Sequence, residues 1–198
     1  SPEASPIEIN GKGDFQEGVE PGDYDPVAFF AGEAPLPDVF NAALAFNIDF
    51  KYGNGAEMSV NNTFENEDGS VHFGSGILFT GSKGRIFVTR GKLSGAPIES
   101  MTDADWDKIN AAVNTELYRG QAVEGHMKNF FECIESGADP ISDVYSHHRT
   151  MTSCHMCNIA LLLDRELKYD AVKEEFIDDD QANALMSRPQ RAGHETIV

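Results

Sequence analysis

The stretch Leu44-Ala-Phe46-Asn-Ile48-Asp-Phe50-Lys-Tyr52 alternates apolar and polar residues without a break and closes on Gly53-Asn54-Gly55. Strict alternation puts Phe46, Ile48, Phe50 and Tyr52 on one face of a strand, and Asn-Gly between two such runs is a strong hairpin signal because both residues tolerate positive φ. The return strand is predicted over 56–62, with Met58 and Val60 toward the core. Further short strands follow the same way: Val71–Phe73, 76–80, a Gly81-Ser-Lys-Gly84 turn and 85–90, preceded near the start of the chain by 5–13 with Ile7 and Ile9 on one face. No helix of crossover length separates them, so neighbouring strands must run antiparallel. Residues 14–41, rich in Pro, Gly and acidic groups, read as loop.

After residue 100 the period changes from two to about 3.6. A helix capped by Thr102 or Asp103 runs to about Leu117, with Trp106, Ile109 and Val113 on one stripe. A second spans about 122–136, with Val123, Met127, Phe130 and Ile134 inward, and Gly137 and Pro140 stop it. The third is the longest, Asp143 to Leu167, free of Gly and Pro and expected to be mostly buried. A strand-like Leu167–Tyr169, an acidic tail over 174–180 and one capped helical turn ended by Pro189 complete the chain. Strands first and helices after make this α+β, an open, mostly antiparallel sheet with helices packed on one face, in a single domain over residues 1–198.

A formal charge of −18 opposes binding to nucleic acid or an anionic membrane surface, and no apolar run is long enough to span a bilayer. Three cysteines do not make a disulfide framework in 198 residues, which favours a reducing, cytoplasmic setting; the start at Ser1 without Met leaves room for a removed export signal.

Cys154-His155-Met156-Cys157 invites a metal or redox reading. A redox pair needs its first Cys at an exposed helix N-terminus, whereas Cys154 falls mid-helix. His147 to Cys154, and His148 to His155, are seven residues apart, about 10 Å along a helix axis, too far to share one ion. Both cysteines are therefore expected as buried small hydrophobes, with no metal site. His148-Arg149 inside a helix calls for a partner: either a salt bridge to Asp143 or the acidic tail, or a role lining a cleft against another domain. Gly76-(four residues)-Gly81-Ser-Lys83 misses a phosphate loop by one position and precedes a strand instead of a helix. Gly74-Ser-Gly76 lacks the third glycine of a dinucleotide fingerprint.

The run GILFTGSKGRIFVTRGKL from Gly76 resembles the G-x-x-F-x-G-(T/S)-x-G-x-(I/V)-x-V-x-R-G hairpin of Gfo/Idh/MocA oxidoreductases. The order of the bacterial branch then recurs: His126-Met-Lys-Asn129-Phe130 with Cys133, Pro140 and Asp143, His148-Arg149-Thr, Cys154-His155, Asn158-Ile159-Ala160, Leu167-Lys-Tyr-Asp170, Phe176, Ala182-Asn183-Ala-Leu185 and Ser187-Arg188-Pro189. The resemblance implies the C-terminal domain of a two-domain enzyme whose N-terminal Rossmann half binds NAD or NADP and which oxidises or reduces a sugar, inositol or related polyol. It implies a homo-oligomer formed through the exposed sheet face. No Rossmann fingerprint or Glu-Lys-Pro segment accompanies it here, so no catalytic and no cofactor-binding residue is assigned, and this chain alone is expected to bind no dinucleotide. His126, His148, Arg149 and Asn158 match the family pattern and are the candidates for a substrate cleft, with helix packing as the alternative. Two rival readings stand beside this: a non-catalytic oligomerisation or ligand-binding module, and an NAD-dependent glycosidase on the same fold.

Overall fold

The computed structural model describes residues 5–35, 38–62, 75–121 and 124–194. Its strands are β1 (Pro6–Asp14), β2 (Ala45–Tyr52), β3 (Glu57–Asn61), β4 (Ile77–Gly81), β5 (Gly84–Val88), β6 (Leu93–Ser94), β7 (Leu167–Asp170) and β8 (Glu175–Phe176). Its helices are α1 (Pro26–Phe30), α2 (Ala96–Glu99), α3 (Asp103–Ala112), α4 (His126–Ser136), α5 (Val144–Leu163) and α6 (Asp180–Ala184), with a π-helical turn, Val113–Leu117, continuing α3. The strand ladders are all antiparallel, and the architecture is α+β as the sequence predicts. The strands form two sheets: five strands in the order β3-β2-β1-β7-β8, and three in the order β4-β5-β6. The predicted strand Val71–Phe73 lies outside the described residues.

The chain divides into two compact units, residues 1–65 with 148–198, and residues 66–147, the second boundary falling inside α5. The first unit holds the five-stranded sheet and the hydrophobic core. Ile9, Ile48 and Phe50 from the sheet, Met156, Ile159, Ala160 and Leu161 from α5, and Leu167, Tyr169, Phe176 and Ala182 from the C-terminal segment bury together. Removing a side chain of this size from water contributes about 1.5–3 kcal/mol each. Gly11 is what lets the helix close on the sheet: a Cβ there would lie 3.0 Å from the Ala160 carbonyl carbon and from Leu161 N. Ile7, expected beside Ile9, is 46% exposed while Ile9 is fully buried, because the β1–β2 register slips between Pro6 and Glu8 and the bulge turns Ile7 out. Val60 packs against the core, but Met58 on the edge strand is exposed.

Four elements go beyond the sequence reading: α1, β6, α2 and β8. Helix α1 rises inside the predicted loop because Asp25 caps it, accepting from Val27 N at 2.9 Å, and Pro26 occupies its first turn. Strand β8 pairs with β7 across a tight turn in which Asp170 Oδ1 accepts from Val172 N at 2.9 Å and Lys173 N at 3.1 Å.

Helix α5 corrects an expectation. It is long and continuous, but only Met156, Ile159, Ala160 and Leu161 are buried, whereas Val144, Tyr145, Met151 and Cys154 are exposed. The helix packs on the sheet at Gly11 and Gly13 through residues 160–161.

The second unit contains the β4-β5-β6 sheet and α2 to α4. Its helices form where the periodicity puts them, and Asp105 accepts from Thr102 N at 3.1 Å and Thr102 Oγ1 at 2.6 Å at the start of α3. The stripes do not turn inward: Ile109, Val113, Met127, Phe130 and Ile134 are exposed, and no hydrophobic residue described in this unit is buried. Val123 lies outside the described residues. What this unit buries is Asn129, whose Oδ1 accepts from Ile141 N at 3.0 Å while its amide nitrogen donates to Gln121 Oε1. That amide ties α4 to the segment leading into α5.

Candidate functional site

The four residues singled out in the sequence do not converge. His126 opens α4, exposed, in the second unit. His148 is exposed on α5, its Nε2 3.0 Å from both carboxylate oxygens of Glu174. The acidic tail therefore takes the histidine and not the arginine. Asp143, the other expected partner, is 3.5 Å from Arg119 and accepts from Ser146 N and Oγ at 2.9 Å. Those hydrogen bonds, led by the Ser146 backbone N–H, hold its carboxyl below the ordinary carboxylate range. The Arg149 guanidinium makes no ion pair among the described residues.

Asn158 is the candidate that lines a concavity. A groove of about 230 Å³ runs between three elements of the first unit. Helix α5 supplies His155, Asn158, Ile159 and Leu162; α1 supplies Phe30; and the stretch after α6 supplies Leu185 to Arg188. Positions 155, 158, 159 and 162 are three and four apart and share one helix face. Ile159 anchors that face in the core, and Leu185 and Met186 pack against the same core. The Arg188 guanidinium lies 4.4 Å from the centre of the Phe30 ring, within cation–π range.

The segment carrying Arg188 is fixed from below. Arg165 donates to Asp179 at 2.7 and 2.8 Å through Nη2 and to Gln181 at 3.1 Å, and Asp179 also caps α6 by accepting from Ala182 N at 2.9 Å. Asn183 Oδ1 accepts from Phe176 N at 2.7 Å, and its Nδ2 donates to the Phe176 carbonyl at 2.8 Å. The groove thus has an apolar floor, donors at its rim and rigid walls. His155, Ser187 and Arg188 were in the family-like motifs but not among the chosen candidates; only folding brings residues 30, 155 and 188 together.

A larger hollow of about 550 Å³ in the second unit is bordered by Gln121, Glu132, Cys133 and Glu135. It is open and acidic, and among the described residues the cation paired with its carboxylates is Lys128, 3.6 Å from Glu132. On α5, Cys154 is exposed, not buried as expected, while burial pushes the half-buried Cys157 thiol up to about 11. Among the described residues no group of three His, Cys, Asp or Glu is placed to hold a metal, and no helix is long and apolar enough to cross a membrane.

The glycine-rich turns have structural uses. Gly81 and Gly84 close the β4–β5 hairpin, and a Cβ on Gly76 would come within 2.5 Å of the Phe87 ring. Gly76 precedes β4 and Gly84 opens β5, neither a helix of the kind that cradles a pyrophosphate, and Gly74 lies outside the described residues.

No curated protein and no solved structure matches the chain. Residues 41–196 match the family described as "Oxidoreductase family, C-terminal alpha/beta domain", a span that takes in β2 to β8 and all helices after α1 but not β1. With most of its length inside that match, the chain belongs to the Gfo/Idh/MocA oxidoreductase family and carries its C-terminal alpha/beta domain.

Proposed function

We propose that this domain shapes the substrate site of an NAD(P)-dependent oxidoreductase acting on a sugar, inositol or related polyol, and that it works in the cytoplasm as part of a homo-oligomer. The observation that carries the reading is the family match over residues 41–196. Nicotinamide chemistry, exchange of hydride with a substrate carbon while a base moves the hydroxyl proton, would come from a Rossmann domain on the N-terminal side. The glycine turns described above support placing the dinucleotide outside this chain, because their geometry serves hairpin closure and ring packing. The part left to these 198 residues is to bind and orient substrate and to assemble.

A non-catalytic assembly module is favoured by one specific observation. Ile77 and Phe79 alternate outward on β4 and are 58% and 56% exposed, and Leu93 on β6 is exposed too. Apolar surface of this kind marks interaction sites, and a second copy is the occupant we propose for it.

Light scattering on the chain, with a parallel titration by NAD and NADP, tests the reading. A dimer or larger species that binds neither dinucleotide is expected. A monomer that binds either one in the low micromolar range would overturn it. The gene upstream of Ser1 separates the two readings: a strand-turn-helix with GxGxxG and a Glu-Lys-Pro segment supports the enzyme, and an unrelated domain supports the module.

A further inference from the structure

We propose that the groove between α1, α5 and residues 185–188 binds a small oxyanion, a carboxylate or phosphate carried on a compact body. The molecule as a whole repels such ligands, with 33 Asp and Glu against 15 Lys and Arg. The groove reverses that locally: its lining contains no carboxylate, and His155, Asn158, Ser187 and Arg188 all offer donors. Arg188 is the anchor. Its guanidinium carbon lies 4.4 Å from the centre of the Phe30 ring and the group has no carboxylate partner among the described residues, leaving its fork of N–H groups for a bidentate anion.

Size and stiffness set the ligand class. The volume of about 230 Å³ falls below the roughly 300–1,000 Å³ of drug-sized sites, so the body is small. Ile159, Leu162 and Leu185 give it an apolar floor. The walls are held before a ligand arrives: Ile159 is in the core, and the Arg165–Asp179 pair and the Asn183 clamp on Phe176 fix the turn leading to Arg188. Pre-formed donors cost little ordering on binding. The proposal concerns a site on this chain alone and does not depend on where the dinucleotide binds.

The test is a set of calorimetric titrations of the full chain with gluconate, inorganic phosphate and sorbitol, with amide and imidazole NMR shifts as the second readout. Gluconate or phosphate should bind with shifts at His155, Asn158 and Ser187, and whichever binds more tightly identifies the anion. Sorbitol, the same carbon chain with an uncharged hydroxymethyl group in place of the carboxylate, should bind at least about tenfold more weakly than gluconate if a charge-assisted hydrogen bond dominates. Arg188→Ala should lose about tenfold or more, and Arg188→Lys should recover only part, lacking the planar fork. Asn158→Asp, nearly isosteric, should abolish binding by adding a negative charge to the lining. Lys83→Ala, on the β4–β5 turn, removes the same unit of charge and should change nothing. Failure of both anions to bind, equal affinity for sorbitol, or equal losses from Arg188→Ala and Lys83→Ala would each overturn the proposal.

Discussion

Replacing Gly11 by Ala tests the contact on which the first unit is built. The added carbon would sit 3.0 Å from the Ala160 carbonyl carbon, from Ala160 Cβ and from Leu161 N. Unstrained carbon contacts lie near 3.5–4.0 Å, so α5 must retreat by roughly half an ångström or the strand must bend. Two of these three atoms are helix backbone and the third is the rigid Ala160 Cβ, not the end of a flexible side chain, and overpacking of this kind costs about 1–3 kcal/mol. Losing glycine's freedom in the unfolded chain offsets about 0.4–1 kcal/mol of that. The net expectation is about 1–2 kcal/mol of destabilisation. With a urea slope of about 2 kcal/mol/M, the unfolding midpoint should fall by about 0.5–1 M with the slope unchanged. Gly53→Ala is the matched control in the same unit. Its nearest neighbour is Ile7 Cγ2 at 4.0 Å and its φ is not in the left-handed region, so its midpoint should hold or rise slightly. A Gly11→Ala midpoint at or above the wild-type value would refute the account of how α5 meets the sheet.

Two other outcomes follow from groups in the same unit. The backbone N–H groups of Lys173 and then Val172 hold the Asp170 carboxyl below its ordinary range. A carboxyl depressed in the folded state stabilises at pH above its unfolded value, and that contribution disappears as pH falls through the folded value. Asp170→Asn keeps an acceptor for the turn but should flatten the acid limb of a urea-midpoint profile run from about pH 6 to about pH 2; an unchanged limb would dismiss Asp170 as a contributor. The thiols should separate by accessibility: Cys154 is exposed, whereas Cys157 is half-buried with its pKa up to about 11, so only about one Cys157 in a thousand is thiolate at about pH 8. A thiol reagent should show a fast phase that Cys154→Ser removes, and labelling of Cys157 first would contradict the burial pattern.

Local chemistry explains which elements were legible. The hairpin at Asn54-Gly55 needs only its own residues, and it forms with Phe50 opposite Met58 and Ile48 opposite Val60. The outward turn of Ile7 depends on a register slip against β2, information carried by the partner strand and not by residues 5–13. Strands β6 and β8 are two residues long, too short to show alternation. Helix α1 did leave a signal, Asp25-Pro26, an N-cap followed by the residue best suited to a first turn, but five helical residues among prolines and glycines read as loop. Periodicity located α3 and α4 correctly and misjudged what covers them, because spacing defines a stripe and only a partner buries it.

The same distinction separates the groove from the candidate list. Asn158 could be chosen because it stood in a family-like motif, as could His148. What decides between them is the company each keeps. His148 meets Glu174 at the surface, where an exposed pair contributes little and neither group is left available. Asn158 meets Phe30 and Arg188, contributed from the two ends of the chain, around an apolar floor that belongs to the core. Position in a motif ranks the two residues equally; only the three-dimensional meeting of distant segments makes one of them part of a site. A binding role for this chain therefore rests on the first unit, where the core holds the walls, while Ile77, Phe79 and Leu93, exposed on the sheet of the second unit, carry the proposal of assembly.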